Sequence, residues 1–417
     1  MAGTSGTSIA ARQADKFAAQ QSSHNEQQPQ RNLSQGVQDA LNIIRQKLAT
    51  YSHVIVGVAG GSASGKTSEV AMRILEALKG DAMMVSMDDY ERDIEFVEGR
   101  PKVRDMLNFD SPTIINMEKL LEDLESLKAG RAISMPKYDF ETGKVISYRL
   151  AEPKKVIIVE GLYALNPEMA EKCDLKIFVQ AGRIGQMIRR LIRDEARTGR
   201  SNEETLRRFV YLASPAQEKT VDPMCDNADI VIMNEYNPTI ESTKIGTTDI
   251  QFRFAAEIDE KRLLELGAKK VKTVWQHDEY YIFDTLDTHA KGELLRVRLE
   301  NGKAIFYYKG PEHADGSNGQ AKIEFEIGPD YGEIMEFLNA HSYGRAIVEK
   351  ERTAYELDGV VINIDRNVSR KQYHALPRRI GNFVEVVVPI PEAAGNAMGL
   401  IGRLGLENRT SLHYANM

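Results

Sequence analysis

The chain has 417 residues, 42% hydrophobic and 28% charged, with a formal net charge of −7. This length provides for two or three domains, and the acidic balance excludes a general nucleic-acid binder. The two cysteines, Cys173 and Cys225, exclude a disulfide framework, and no apolar run reaches the ~18 residues of a membrane span. No secretory leader opens the chain, so a cytoplasmic protein with no membrane partner is expected.

Residues 1–34 are rich in Gln, Ser, Ala and Asn, lack an apolar period and read as a disordered tail. A helix is predicted over 34–52, with Val37, Leu41, Ile44 and Leu48 on one stripe. The apolar run 53–59 reads as a buried parallel strand, and 68–78 reads as a helix. Between them stands Gly60-Gly61-Ser62-Ala63-Ser64-Gly65-Lys66-Thr67, which fits G-x-x-x-x-G-K-[ST].

Strands at 83–87, 156–159, 175–179 and 230–233 alternate with helices at 117–129 and 184–198. That alternation implies an α/β domain over 35–238, a parallel sheet with helices on both faces. After Thr248 the pattern changes to period two, in 249–254, 294–299, 322–327 and 361–365, with a hairpin signal at Asn301-Gly302. A second domain over 248–417 is therefore expected to be a closed antiparallel sheet, charged inside and covered by helices outside.

A Gly-rich loop between a strand and a helix wraps nucleotide phosphates with its backbone N–H groups, here those of Gly60 to Thr67. Lys66 would reach the β/γ-phosphates of ATP and the Thr67 hydroxyl would hold Mg²⁺. Asp88 and Asp89 follow the second strand, where a carboxylate serves as a general base or as a turn cap. Glu160 follows the third, where it orients Mg²⁺ or is a solvated loop carboxylate. Arg189, Arg190, Arg193, Arg197 and Arg200 suit triphosphate charge or a solvated helix face.

Gly60 to Thr67, Ser86-Met87-Asp88-Asp89-Tyr90, Asn108-Phe109-Asp110, Pro136-Lys137-Tyr138-Asp139-Phe140 and Val159-Glu160-Gly161 stand in the order seen in uridine kinases. The segment from about 50 to 236 resembles that family, and the helix from Arg189 to Asp194 with Gly199-Arg200 looks like its lid. The resemblance implies that Asp88 is the catalytic base, Asp110 a ligand of the ribose hydroxyls and Tyr138 a base-stacking residue. It makes Arg189 and Arg193 lid arginines. The chain departs from the family at Glu141-Thr142-Gly143-Lys144, where a base-reading histidine is expected, and at Gln186, where the lid helix begins with arginine.

Leu263 to Ala268, His277 to Asp284, Leu295-Arg296-Val297-Arg298, Tyr308 to Pro311, Val348 to Arg352 and Gly381 to Val386 resemble the CYTH, or triphosphate tunnel, domain. That resemblance implies an α+β domain on an antiparallel eight-stranded tunnel whose basic residues grip a triphosphate. Strand alternation then sends Arg296 with Arg298, Glu324 with Glu326, and Lys350 with Arg352 inward as pairs. Arg253 and Lys309 join the phosphate-binding set. Asp249, Glu324, Glu326, Asp365 and Glu385 join the metal set, for Mg²⁺ or Mn²⁺. The family's opening Glu-x-Glu-x-Lys strand is here Asp249-x-Gln251-x-Arg253, one carboxylate fewer, which lowers the expected metal affinity.

The two domains together resemble the two-domain triphosphate tunnel proteins of plants, whose C-terminal membrane anchor is not expected to carry over. Three readings follow. The first is a Mg²⁺-dependent, ATP-using kinase of nucleoside type fused to a tri/polyphosphate-binding tunnel. The second is a pyrophosphate or tripolyphosphate hydrolase with the kinase domain as nucleotide sensor, and the third a non-catalytic regulator binding both ligands. Small phosphates and nucleotides are the expected partners, and self-association is left open.

Overall fold

The computed structural model describes residues 30–93, 111–234, 250–283, 293–310, 322–372, 375–389, 393–407 and 409–410. Residues 1–29 of the predicted tail, Asp110 and Asp249 lie outside these residues, whereas 30–34 are not tail: Arg31–Asn32 pairs with Ile232–Met233 and a helix begins at Leu33. The chain divides into two compact units, residues 1–181 with 211–235, and residues 182–210 with 236–417.

In the first unit the strand Val54–Gly60 (β1) is buried along its whole length. It has no polar side chain to hydrate, as suits a parallel strand covered on both faces. Ala82–Ser86 (β2), Val156–Gly161 (β5), Leu175–Gln180 (β6) and Ile230–Met233 (β7) join it. The sheet order is the two-residue strand Arg31–Asn32, then β7, β6, β1, β5 and β2, with every pairing parallel. The helix Leu33–Leu48 (α1) is capped by Asn32, whose side chain accepts from the Gln35 amide, and buries Val37, Leu41 and Ile44 on one face. On the other face Met117–Lys128 (α3) buries Leu120, Leu124 and Leu127.

An antiparallel hairpin of Ile133–Asp139 (β3) and Lys144–Ala151 (β4) lies outside this sheet. The sequence reading placed motif residues here but no strands. Pro136 inside the first strand argues against one, yet a two-stranded ribbon has free edges that tolerate proline.

In the second unit one antiparallel sheet collects Lys322–Ile327 (β12), Lys303–Lys309 (β11), Leu294–Glu300 (β10), Lys269–Ile282 (β9), Gly344–Leu357 (β13), Val360–Gln372 (β14), Arg378–Val388 (β15) and Ile250–Ala255 (β8), in that order. The two-residue strand Arg409–Thr410 pairs with β8 at the end. Asn301 and Gly302 both have positive φ, 52° and 75°, as a two-residue hairpin turn requires, and Glu300 pairs with Lys303. Val384, Val386 and Val388 alternate with Phe383 and Glu385, and the valines pack under Leu263 of the helix Glu260–Glu265 and under Ala397 and Leu400 of Ala394–Arg403. The opposite face carries the charges. The Glu385 charge acts on Tyr307 of β11, although β15 and β11 lie far apart in sheet order, so the sheet rolls about its charged face. Among the described residues no helix is long and apolar enough to cross a membrane.

Candidate functional site

The Gly-rich loop joins β1 to the helical stretch Lys66–Ala71, which continues as Met72–Ala77. Its glycines have steric causes. Gly60 (φ +156°) has no room for a Cβ, which would stand 2.4 Å from the Val179 carbonyl oxygen. Gly65 (φ +88°) would place one 2.1 Å from the Asn234 side-chain nitrogen. That nitrogen donates to the Ser64 carbonyl oxygen at 2.7 Å, buried, and so fixes the middle of the loop. The Gln217 side chain lies over Gly61 and donates to Asp222 at 3.2 Å.

At the carboxyl ends of β2 and β5, Ser86 and Glu160 are register partners. Glu160 accepts from the Thr67 hydroxyl at 2.6 Å and from the Ser86 hydroxyl at 2.5 Å. Burial raises its carboxyl above the ordinary range, Lys66 opposes that, and the nearby Asp88 adds to it. Lys66, Thr67, Asp88 and Glu160 thus meet at one place. The neighbouring Asp89 turns the other way, accepting from Lys137 at 3.0 Å and from the Tyr138 amide at 3.3 Å. Asp89 ties β3 to this end of the sheet, while Asp88 is close enough to Glu160 for its charge to act there.

Tyr138, implied as a base-stacking residue, is buried and edge-on to Phe140 at 5.3 Å. Arg189 and Arg193 lie on the helix Arg183–Thr198 (α4), in the second unit. Arg189 is buried, as is Gln186 at the departure from the family pattern. Asp194 accepts from Arg193 at 2.8 Å and from Arg190 at 3.1 Å, so part of the basic run serves an ion pair inside its own helix.

On the charged face of the second unit, Asp278 of β9 is fully buried at the centre. It accepts from Arg298 through both oxygens, at 2.6 and 2.8 Å, and from Lys350 at 3.4 Å, with Arg296 at 3.7 Å. Arg352 donates to both oxygens of Asp365 at 2.6 Å and to Glu385 at 2.9 Å, while Arg253 donates to Glu385 at 2.7 Å. Burial alone would raise Asp278, but Arg298, Arg296 and Lys350 hold it well below the usual carboxylate range. Glu385 is lowered in the same way, by Arg352 and Arg253 against its burial. Burial pushes the Lys350 ammonium down to about 7, against the pull of Asp365. The Arg296 guanidinium lies 4.3 Å from the Tyr307 ring centroid, a cation–π contact that holds it flat. Lys309 shares the Tyr307 side of β11 by alternation, and Glu324 and Glu326 pair with Lys322 and Lys303 at 3.2 and 2.7 Å in exposed positions.

The expected inward pairs Arg296 with Arg298 and Lys350 with Arg352 therefore converge with Asp365, Glu385 and Arg253. Glu324 and Glu326 lie opposite Tyr307 and Ile305, whose partners on β10 are Arg296 and Arg298, so they share the charged face but are exposed on the end strand β12. Among the described residues no three carboxylate, His or Cys groups form a cluster able to hold a metal. The buried carboxylates already accept from guanidinium groups on both oxygens, so as they stand they do not fit a divalent ion. Asp278, Ser86, Asn234 and Gln217 were not named as site residues from the sequence. The alternation Gln276, Asp278, Tyr280 was the signal available for Asp278, whereas the two amides carry no motif.

Residues 55–240 match the model of the phosphoribulokinase/uridine kinase family, and residues 249–394 match the CYTH domain. A uridine kinase of Staphylococcus haemolyticus is 34% identical over 46% of this chain and 95% of its own length. The chain belongs to the phosphoribulokinase/uridine kinase family and carries a CYTH domain. A protein of Arabidopsis thaliana named inorganic pyrophosphatase TTM2 is 30% identical over 75% of this chain. The chain spans 45% of that relative's length. Uridine-cytidine kinase C of Dictyostelium discoideum is 29% identical over 78% of this chain and 71% of its own. The parallel sheet around the Gly-rich loop and the antiparallel charged sheet are the folds that these two families imply.

Proposed function

We propose that the P-loop unit catalyses Mg²⁺-dependent phosphoryl transfer from ATP in the manner of a nucleoside kinase, and that the tunnel binds tri- or polyphosphate. The observation carrying this reading is the meeting of Lys66, Thr67, Glu160 and Asp88 at the carboxyl ends of parallel strands. The hydroxyl and carboxylate oxygens of Thr67 and Glu160 are hard donors that suit Mg²⁺, which when bound would neutralise charge developing on the phosphates. Lys66 and the loop amides bind the phosphates, and Asp88 takes the proton of the attacking hydroxyl. Arg189 and Arg193 are assigned to triphosphate charge, and Asp110 and Tyr138 to the acceptor. Both cysteines are free thiols, as a cytoplasmic protein keeps them.

The test is ADP formation by the full chain with ATP and a panel of nucleosides. Asp88→Asn should cut turnover at least 100-fold while ATP still binds. Turnover of no nucleoside, or an unaffected Asp88→Asn, removes the reading.

The Arabidopsis relative, which matches 75% of this chain, supports a second reading in which the tunnel hydrolyses pyrophosphate or tripolyphosphate. Phosphate release that survives Lys66→Ala and disappears with Lys350→Ala would favour it. The tunnel carboxylates of this reading are held by arginines.

A further inference from the structure

Residues 182–210 leave the first unit after β6 and return to it at Tyr211. On each side the chain of the first unit that flanks it touches the Gly-rich loop. The Val179 carbonyl, just before the departure, closes on Gly60, and Gln217, shortly after the return, lies over Gly61. Between these points the segment packs with the charged sheet's own unit. On the helix Asn202–Arg208 (α5), Arg207 forms a two-pronged ion pair with Asp330. Glu203 accepts from Arg207 and from the Gly328 amide, each at 3.2 Å. A Cβ at Gly328 would stand 2.5 Å from the Arg207 guanidinium, which would have to shift to admit it. Phe209 meets Phe337 edge-on at 6.0 Å and carries the Arg190 guanidinium 5.8 Å from its centroid.

The contacted residues are not remote from the charged face. Gly328 and Asp330 directly follow β12, which carries Lys322, Glu324 and Glu326. Phe337 lies on the helix Tyr331–Ala340 (α8), which leads into β13 with Lys350 and Arg352. A tri- or polyphosphate drawn to those cations acts on the strands at either end of this connection.

We propose that residues 182–210 are a coupling arm through which a tri- or polyphosphate in the tunnel tightens nucleotide binding at the Gly-rich loop. This rests on the tunnel and P-loop readings above. The sign follows from entropy: a first ligand that orders the β12–α8 connection and the arm leaves less ordering for the second to impose. Thermodynamic linkage makes the effect reciprocal.

The experiment titrates the full chain with a non-hydrolysable ATP analogue, with and without saturating tripolyphosphate, by calorimetry. A Kd lowered at least threefold is expected, with the same factor when the order of ligands is reversed. Hydrogen exchange should slow across 199–210 on adding tripolyphosphate alone. Arg207→Asp and Asp330→Arg should each bring the factor to one while leaving both separate affinities unchanged, and the double charge swap should restore it. If tripolyphosphate or the analogue fails to bind, the underlying readings fall and the arm with them. If both bind independently, or the factor survives Arg207→Asp, the arm alone is overturned.

Discussion

Replacing Asp278 with Asn should make the protein less stable and a better binder of tripolyphosphate. The carboxylate is fully buried and takes two hydrogen bonds from Arg298, one from Lys350 and the charge of Arg296. Its removal leaves three cations facing one another, with Lys350 fully buried and both arginines mostly so. Breaking a buried ion pair by removing one partner costs about 3–5 kcal/mol. At ~2–4 °C per kcal/mol for a unit of this size, the melting temperature should fall by roughly 6–20 °C. The same cations then lack their internal counter-charge. A unit charge ~10 Å from a phosphate, at an effective dielectric of ~20, is worth about 1.7 kcal/mol, so affinity should rise roughly tenfold. Scanning fluorimetry gives the first quantity and calorimetry in excess chelator the second. A weaker affinity in Mg²⁺ with none lost in chelator would make Asp278 a metal ligand and refute the reasoning, as would an unchanged melting temperature.

Lys350 is held at about 7, below its unfolded value of 10.5, so between these pH values the unfolded chain binds the extra proton. Stability should therefore rise with pH across that window, and tripolyphosphate affinity should fall above about 7. Lys350→Arg should remove the component of that fall not due to the ligand's own protonation, as calorimetry at several pH values would reveal. Glu160→Gln should lower ATP turnover by ~10–100-fold, because the carboxylate orients Thr67 and Ser86 at the metal-suited oxygens. Its raised carboxyl also predicts that turnover climbs with pH above the ordinary carboxylate range, a limb that the Gln variant should lack. Asn234→Ala strands the buried Ser64 carbonyl at a cost of about 1–3 kcal/mol. Calorimetry should find ATP bound ~10-fold more weakly, with adenosine affinity unchanged. A parallel loss of adenosine affinity would place Asn234 outside the loop's phosphate geometry.

The loop and its flanking elements were legible because each carries a local signal. The glycines stand where a Cβ has no room, and β1 has no polar residue to place. The charged strands were legible through period two, which puts Arg296 with Arg298 and Lys350 with Arg352 on one face. The hairpin of β3 and β4 was not, since Pro136 obscures it. Glu324 and Glu326 share that face as expected, but alternation gives the face of a strand and not its place at the end of the sheet, where they stand exposed and pair with Lys322 and Lys303.

The sequence by itself determined the two families, the nucleotide loop and the face on which each tunnel charge lies, because these depend on residues a few positions apart. The tertiary structure decided what those charges do. Asp278, Asp365 and Glu385 hold arginines, which only long-range strand pairing brings within hydrogen-bonding distance. It also decided that Asp89 is bound to β3 while the Asp88 charge acts on Glu160, and that residues 182–210 belong to the compact unit of the charged sheet.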